Sequence, residues 1–509
     1  MNDSVWAEGY VVDIDYTDGY YRELAPGLLR FVTLLAGMRR RPSADGFNYC
    51  ELGCGNGRSV VLHAAGEPQG RFHGVDFNPK HIQHARRLAQ DAGTENARFL
   101  EASFASLHES DLPEMDFITL HGVHSWVSAE NRRHIAEFIR ARLRPGGLVY
   151  IGYNCLPGLA PIEPLQRLIM RHAAAGSGDL PGRMRAALDY AARLDQAGAG
   201  YFLANPAARM RMATLGEHDP AYLAHEYFNE NWSPAWHVDV CTEMAAAEVS
   251  YIGSSTYVEN FEPFALKPEH ARLVAEVADR GLAETVKDFV RNSGFRRDVF
   301  ARAPEKAALP ELEAALGRQR FSLARPRSIC HLGAKVPAGD ITLQAELHVP
   351  VLDALARGPL SFDELAAAPE TAGLTRVQLR QAVFGLAAVG NVLPALPAEG
   401  EAARRSATAR FNAAVLAAPA TGANLYLASP VWGAGTVLNP IDRFLLQGPR
   451  SHGQAVELAL KGILSSGIRM KNAGKPVESA QDLRALIDRR AVDFFRDMLP
   501  FFRQIGVAE

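Results

Sequence analysis

A glycine-rich heptapeptide gives the sequence its clearest chemical signal. The chain reads Glu51-Leu-Gly-Cys-Gly-Asn-Gly57 directly after a short apolar segment. Closely spaced glycines let a backbone turn tightly and approach a ligand. A dinucleotide-binding loop would place its third glycine at position 58, where this sequence has Arg58. Because an acidic residue precedes the first glycine, we expect a sulfonium with an amino-acid tail rather than an anionic pyrophosphate. The loop residues predicted to contact this ligand are Glu51, Gly53, Cys54, Gly55 and Gly57.

Further candidate residues follow the loop, at the ends of the next two predicted strands. Asp76 lies about twenty residues past the loop, where a carboxylate can accept both hydroxyl hydrogens of a ribose. Phe77 can lie against the face of an adenine ring. Ser103 and Phe104 directly follow the third predicted strand and are expected beside the adenine amine. With the loop, these residues predict a site for an adenosine that carries a sulfonium.

The string His121-Gly-Val-His-Ser-Trp126 follows the fourth predicted strand. In a parallel sheet this position lies at the carboxyl edge, where a second substrate would meet the bound cofactor. We expect His121 to contact the cofactor and His124 to act as a base or as a hydrogen-bonded structural residue. Trp126 and the upstream Tyr16 or Tyr20, which lie in a tyrosine-rich segment, can form an aromatic wall that holds a cationic acceptor by cation–π attraction. No metal site is predicted.

Alternating strands and helices must position these residues. Apolar segments of strand length alternate with two amphipathic helices, 79–92 and 131–143, which is the pattern of a doubly wound α/β sheet. Such a sheet brings the glycine loop, Asp76 and the histidine-rich string to one edge. The five predicted strands are 47–52, 71–76, 97–102, 115–120 and 147–152.

The remaining two-thirds of the chain read as mainly helical. Beyond the cofactor-binding domain at 1–155, Pro and Gly punctuation predicts a helical connector at 156–214 and a middle domain at 215–302. A linker leads to a C-terminal domain at 317–509, to which we assign substrate docking or dimerisation. Its pattern suits a winged-helix shape, with helices predicted at 349–357, 361–367 and 376–389 and a strand at 391–396.

Composition excludes several other classes of protein. The formal net charge of the 509 residues is −3 and the isoelectric point is about 6.6, so no basic field favours nucleic acid. The five cysteines are scattered and form no CxxC pair, which indicates reduced thiols. Neither a signal peptide nor a membrane-spanning segment is predicted. We therefore expect a cytoplasmic protein that does not insert into membranes.

Four segments together resemble one family. The glycine loop, the string 121–127 and the segments 225–230 and 291–297 are similar to bacterial methyltransferases that carry a methyltransferase regulatory domain. That group includes rickettsial protein lysine methyltransferases acting on an outer-membrane protein. The resemblance covers residues 5–302 with fairly specific motifs. It implies a Rossmann-like class I methyltransferase sheet, S-adenosyl-L-methionine as cofactor and a protein substrate.

Three functions remain open from the sequence. The first is methyl transfer to protein lysine side chains. The second is a small-molecule N- or O-methyltransferase whose C-terminal half closes over the site. The third is a regulatory protein that senses the cofactor and contacts DNA or protein through the winged-helix-like region. The few basic residues of its candidate recognition helix, Arg376 and Arg380, argue against DNA.

Overall fold

The computed structural model describes residues 19–39, 46–215, 229, 231–420, 424–448, 451–472, 475–477 and 479–508. The predicted acceptor residue Tyr16 lies outside these ranges, as does the segment 225–230 apart from Asn229.

A seven-stranded sheet forms the centre of the N-terminal 302 residues. Its strands are β1 (Phe47–Leu52), β2 (Gly70–Asp76), β3 (Ala97–Glu101), β4 (Met115–His121), β5 (Leu143–Asn154), β6 (Val249–Ser254) and β7 (Phe295–Arg302). Their order is β3-β2-β1-β4-β5-β7-β6. Strands β1 to β5 are parallel, and β7 is antiparallel to both of its neighbours. The predicted Rossmann-like α/β sheet is confirmed.

Helices cover both faces of this sheet. On one face of the sheet, Phe72 and Tyr150 belong to the same apolar core as residues of α1, α2 and α3. On the other face, Ile118 and Ile151 share a core with residues of α4. Side chains cap two of these helices, because Asn78 accepts a hydrogen bond from a free N–H of α3 and Ser128 does so for α4. The helices are α1 (Pro26–Leu35), α2 (Arg58–Gly66), α3 (Pro79–Asp91) and α4 (Ala129–Arg142).

The region predicted as a separate middle domain contributes two strands to the sheet. β7 pairs with β5 from Leu148 opposite Ala301 to Asn154 opposite Phe295, and β6 pairs with the free side of β7. The predicted domain boundary at residue 155 therefore does not end the sheet, and residues 155–248 form an insertion between β5 and β6. Pairing between strands so distant in sequence leaves no local periodicity from which it could be predicted.

A buried network of charges secures this union. The Arg296 guanidinium donates to Asp288 at 2.7 Å and to Asp298 at 3.0 Å. Asp298 also accepts from the Tyr153 hydroxyl at 2.7 Å and lies 2.9 Å from His237 Nδ1. Because removing one member would leave a buried charge without its partner, the network holds β5 and β7 to two helices. These helices are His237–Ala246 and Arg280–Arg291.

The predicted helical connector forms a small bundle with its own apolar core, which includes Leu165, Ile169, Met184 and Phe202. Its helices are α5 (Glu163–Ala175), α6 (Leu180–Gln196), α7 (Gly200–Ala204) and α8 (Pro206–Leu215). Two further short helices, Glu262–Ala265 and Pro268–Ala275, lie between β6 and β7.

The C-terminal region contains the predicted winged-helix-like order. Three helices and a strand, Ala345–Leu355, Phe362–Ala367, Arg376–Ala388 and β12 (Val392–Ala395), occur at the predicted places. β12 joins β8 (Arg320–Leu323) and β11 (Leu360–Ser361) in a three-stranded sheet. The region also contains β9 (Gly333–Val336), β10 (Gly339–Thr342), β13 (Leu425–Ser429), β14 (Ala434–Leu438), the two-residue strands Lys471–Asn472 and Lys475–Pro476, and the helices Leu309–Arg318, Glu401–Ala417, Pro440–Gln447, His452–Ser466, Ala480–Asp493 and Leu499–Gln504.

This C-terminal region packs directly on the helix that follows the glycine loop. Residues 59–66 of α2 are all buried, and α2 contacts the helix Glu401–Ala417 and both strands of the β13–β14 hairpin. A Cβ at Gly66 would lie only 2.8 Å from the backbone of Gly433. The backbones of α2 and of the hairpin turn are therefore so close that a side chain at position 66 would not fit between them. The C-terminal region is therefore part of the same packed body as the cofactor-binding half.

Within the described parts of the chain, every helix is too short or too polar to span a bilayer. Over the same residues, His, Cys, Asp and Glu side chains form no group of three suited to a metal ion.

Candidate active site

The glycine loop leaves β1 through three left-handed residues. The φ angle is +69° at Gly53, +51° at Gly55 and +73° at Gly57. The backbone N–H groups of Gly53 and Cys54 donate to the carbonyl oxygen of Val75, at 2.8 and 3.0 Å. The loop therefore follows the end of β2 closely in a conformation that only glycine adopts without strain.

Two of these glycines are required for different reasons. A Cβ at Gly57 would lie 2.5 Å from the Cβ of Ala85 and 2.8 Å from the ring of Phe99. A Cβ at Gly55 would meet no protein atom within 4 Å. Gly57 thus permits the close packing of α2 and α3, whereas Gly55 faces space into which a ligand can come close to the backbone.

Asp76 connects the end of β2 to the loop. Its Oδ2 accepts a 2.9 Å hydrogen bond from the Gly55 amide, and its Oδ1 accepts one of 2.9 Å from the Asn78 amide. The Nδ1 of His81 lies 3.2 Å from Oδ1. The side chain is 8% exposed, and a carboxylate has lone pairs beyond those that these donors use. Asp76 thus lies where a ribose hydroxyl could donate to it, with Phe77 next in the chain.

Glu51, at the end of β1, is a second buried carboxyl group close to the glycine loop. The residue is 5% exposed, and the Tyr49 hydroxyl donates to its Oε2 at 3.2 Å. The pKa of Glu51 is raised to about 8, chiefly by burial; the Tyr49 hydrogen bond opposes this rise, and the negative charge of Asp76 adds to it. A nearby cation would restore the ionised form, because it offsets the cost of burying the charge. The two carboxyl groups therefore suit a ligand with a sulfonium and an ammonium group better than an anionic one.

The two residues predicted beside the adenine amine differ in their contacts. Ser103 Oγ lies 3.1 Å from Ser106 Oγ and accepts a hydrogen bond from the Ser106 amide, which closes a local turn after β3. Phe104 packs against the apolar core on the α4 side of the sheet. Ser103 remains partly accessible and keeps a hydroxyl for a ligand.

His121 ends β4 and lies between two tyrosines. The ring of Tyr21 stacks on the imidazole, with centroids 3.8 Å apart and an interplanar angle of 30°. The Tyr150 hydroxyl is 2.7 Å from His121 Nδ1. Burial lowers the pKa of His121 to about 4, with a smaller opposing effect of Glu23 and a lowering effect of Arg297. The imidazole is therefore neutral at pH 7 and does not repel an incoming cation.

Several residues around His121 were not predicted as site residues, although Phe295 and Arg297 belong to the segment 291–297 that carries the family resemblance. Tyr21 lies in the tyrosine-rich N-terminal segment, but the pattern there could not distinguish it from Tyr16 or Tyr20. Glu23 pairs with Arg297 at 2.7 Å, and Phe295 lies 5.4 Å from His121 between ring centroids. Since Phe295 and Arg297 reach this edge only through the pairing of β7 with β5, no local signal could have placed them there.

His124 and Trp126 make contacts that differ from those of His121. The Nε2 of His124 lies 2.7 Å from a carboxylate oxygen of Glu243, which Arg132 also contacts at 3.2 Å. His124 is 3% exposed, so this pair ties the end of β4 to the helix His237–Ala246. Trp126 packs against Trp232, with ring centroids 6.0 Å apart. The buried His124 is thus paired with a partly exposed carboxylate, and the ring that stacks on His121 is that of Tyr21.

Comparisons with known proteins agree with this arrangement. Residues 43–180 match a family described as a methyltransferase domain, and residues 219–302 match one described as a predicted methyltransferase regulatory domain. An uncharacterized protein of Synechocystis is 35% identical over 505 residues, which are 99% of this chain and 100% of that protein. An uncharacterized protein of Rickettsia prowazekii is 24% identical over 291 residues, 56% of this chain and 51% of that one.

A solved structure shares the fold over nearly the whole chain. It is PKMT2 from Rickettsia typhi in complex with AdoHcy, with a TM-score of 0.70, 19% sequence identity and coverage of 97% of this chain and 99% of that one. The sheet order, the glycine loop and the matches to a methyltransferase domain and to an AdoHcy-bound structure define a class I methyltransferase that uses S-adenosyl-L-methionine. The chain belongs to the family of bacterial methyltransferases that carry a methyltransferase regulatory domain.

Proposed function

We propose that this methyltransferase transfers methyl groups to lysine side chains of a protein. The observation that carries the proposal is the aromatic surface at the carboxyl end of β4, where Tyr21 covers the neutral imidazole of His121 beside the paired charges of Glu23 and Arg297. An aromatic ring attracts the ammonium of a lysine and packs against its methylene stem. Similarity of fold to PKMT2, a rickettsial protein lysine methyltransferase, supports the same acceptor.

We assign roles in the reaction as follows. S-adenosyl-L-methionine supplies an activated methyl group and leaves as S-adenosylhomocysteine, so the protein must chiefly align the acceptor and exclude bulk water. The lysine ammonium must first lose its proton to solvent, because only the neutral amine can attack the methyl carbon. Glu51 and Asp76 bind the cationic tail and the ribose, and the backbone at Gly55 permits close approach. Tyr21 and His121 orient the acceptor amine. The cofactor-contacting residues retained in this proposal are Glu51, Gly53, Cys54, Gly55, Gly57, Asp76, Phe77, Ser103, Phe104 and His121.

A DNA-binding regulator fits the structure less well than an enzyme. In the candidate recognition helix, Arg376 pairs with Asp363 at 2.8 Å and with Glu313 at 3.4 Å. Arg380 pairs with Glu313 at 3.1 Å. Acidic residues of the same region thus neutralise the two arginines that would have to bind phosphate.

Methyl transfer to lysine can be tested with the full-length protein and radiolabelled S-adenosyl-L-methionine. We expect a lysate of the encoding organism to acquire label in protein, and acid hydrolysis to release it as methyl-lysine. Asp76→Ala serves as the control with weakened cofactor binding and Asp116→Asn as a control with an intact cofactor site. Label confined to small molecules, label on other amino acids, or no label at all from a protein that binds AdoHcy would contradict the lysine acceptor.

A further inference from the structure

Residues 20–23 lie between the acceptor site and the C-terminal hairpin β13–β14. Side chains in this tetrapeptide alternate between the two: Tyr20 and Arg22 contact the hairpin, whereas Tyr21 and Glu23 contact His121 and Arg297. We call residues 20–23 the strap. Four successive residues thus link a region more than four hundred positions away in sequence to the reaction site.

Tyr20 is more deeply buried than Arg22, the other strap residue that contacts the hairpin. The backbone N–H of Gly435 donates to the Tyr20 hydroxyl, and His63 Nε2 of α2 lies 3.3 Å from the same oxygen. The Tyr20 ring also packs against Tyr426 of β13, with centroids 5.1 Å apart. A Cβ at Gly435 would lie 2.8 Å from this ring and 2.9 Å from the Leu62 side chain. Glycine at 435 is therefore what allows the ring to reach the hairpin backbone.

Arg22 binds the backbone carbonyl group of Gly435, the residue whose N–H binds Tyr20. Its Nε donates to the Gly435 carbonyl oxygen at 3.1 Å, and its guanidinium lies 5.4 Å from the centre of the Trp432 ring. Both backbone groups of Gly435 are therefore bound by side chains of the strap. Two hydrogen bonds and a cation–π contact fix the strap on the hairpin.

The other side of the strap is fixed at the reaction site. The Tyr21 amide donates to Ser59 Oγ on α2 at 3.2 Å, the ring of Tyr21 stacks on His121, and Glu23 pairs with Arg297. Because neighbouring residues share one backbone, a shift of Tyr20 moves Tyr21. The charged groups near His121 are Glu23 of the strap and Arg297 of β7, and Tyr150 of β5 hydrogen-bonds to its ring.

We propose that the C-terminal hairpin positions the acceptor site through the strap, with Tyr20 and Arg22 as positioning residues that keep Tyr21 over His121. This inference rests on the proposed acceptor site. It gives the C-terminal region a role in methyl transfer that requires no contact of that region with the acceptor.

The test uses His121 as a reporter in the full-length protein without any acceptor. We would record the titration of carbon-13-labelled histidines by nuclear magnetic resonance and assign the His121 signal by its loss in His121→Gln. In the wild type, His121 should titrate well below the ordinary value of 6.5, near pH 4. In Gly435→Ala and Arg22→Gln, the pKa should rise by about one pH unit or more, because displacement of Tyr21 exposes the ring to water.

A matched control separates this effect from general weakening of the interface. Phe321 contacts Phe31 of α1, with ring centroids 5.8 Å apart. It takes part in none of the strap contacts described above. Phe321→Leu should lower the melting temperature and leave the pKa of His121 unchanged. In all three variants, the affinity for AdoHcy should stay within about threefold of the wild-type value.

An unchanged pKa of His121 in both Gly435→Ala and Arg22→Gln would overturn the proposal. An equal rise in Phe321→Leu would also overturn it, since it would show only a loosened protein. Tyr20→Phe, which removes the hydroxyl and keeps the ring, provides a further folded variant and should show a smaller rise. Since no acceptor is present, these outcomes are independent of whether lysine is the substrate.

Discussion

The Asp76 carboxylate and the Gly55 amide are joined by a 2.9 Å hydrogen bond, so the ribose-binding candidate and the glycine loop form one unit. Any change at Asp76 therefore affects both a ligand contact and the shape of the loop. Substitutions of Asp76 that keep a hydrogen-bond acceptor should therefore weaken cofactor binding less than substitutions that remove it.

Asp76→Ala should weaken AdoHcy binding by about 1.5–3 kcal/mol, because charge-assisted hydrogen bonds to the ribose and the support of the loop are both lost. Asp76→Asn should lose less, since its amide oxygen can still accept from Gly55. Calorimetric titration measures both affinities. Asp116 similarly accepts a backbone hydrogen bond, from Asn48 at 2.8 Å, so Asp116→Asn is the matched control and should bind normally. Equal affinities in all three variants would remove Asp76 from the site.

The glycine loop allows a paired comparison of packing and ligand approach. Gly57→Ala should lower stability by several kcal/mol, because its Cβ meets Ala85 and Phe99 at less than 3 Å. Gly55→Ala should cost only about 1 kcal/mol in stability, the strain of a left-handed residue, yet weaken cofactor binding at least about tenfold. Gly198→Ala has the same kind of strain in open space of the helical connector and should bind normally. Thermal melts and AdoHcy titrations of the three variants distinguish these effects; normal binding by Gly55→Ala contradicts the loop assignment.

Glu51 should make cofactor binding depend on pH. With a pKa of about 8 in the free protein, Glu51 is mostly protonated at pH 7 and must ionise beside the cationic tail. Binding should thus release close to one more proton in the wild type than in Glu51→Gln, as seen when binding enthalpies are compared in buffers of different ionisation enthalpy. Equal proton release by the two proteins would contradict the contact with the cationic tail.

The same group should affect the stability of the ligand-free protein. Its folded-state pKa lies above the unfolded value of 4.5, so the folded state binds more protons between pH 4.5 and 8. The contribution of Glu51 to the free energy of unfolding is therefore fully present below pH 4.5 and is lost as the pH rises through 8. Urea unfolding at several pH values should show a smaller decline over this window in Glu51→Gln.

Substitutions of His121, which ends β4, and of His124, which follows it, should affect activity and stability differently. His124→Gln removes the imidazole that contacts the partly exposed Glu243 and should lower the free energy of unfolding by about 1 kcal/mol. His121→Gln should change stability less and should lower methyl transfer by more than it lowers AdoHcy affinity, because it alters the surface under Tyr21 as well as the proposed cofactor contact. Chemical unfolding and labelled-methyl assays give the two quantities. If His124→Gln is the more damaging to turnover at equal stability, then His124 rather than His121 serves the reaction.

The N-terminal strands and the loop could be predicted from the sequence because their signals are local. Predicted and observed bounds agree for β1 at 47–52, and those for β4 differ by one residue. Each strand is a short apolar run between turn residues, and the glycine pattern directly encodes left-handed turns. The C-terminal helices predicted from residues 349, 361 and 376 begin at Ala345, Phe362 and Arg376, and in the structure Ser361 and Thr375 cap the last two.

Only the tertiary structure decided how distant segments meet. Nothing local could predict that β7 would pair with β5, or that this pairing would bring Phe295 and Arg297 to His121. The tyrosine-rich segment predicted an aromatic wall, but the ring of Tyr20 lies in the hairpin contact and that of Tyr21 lies in the site. Which tyrosine serves depends on the burial of α2 beneath the C-terminal region, and burial is a property of packing between elements that periodicity within one element does not specify.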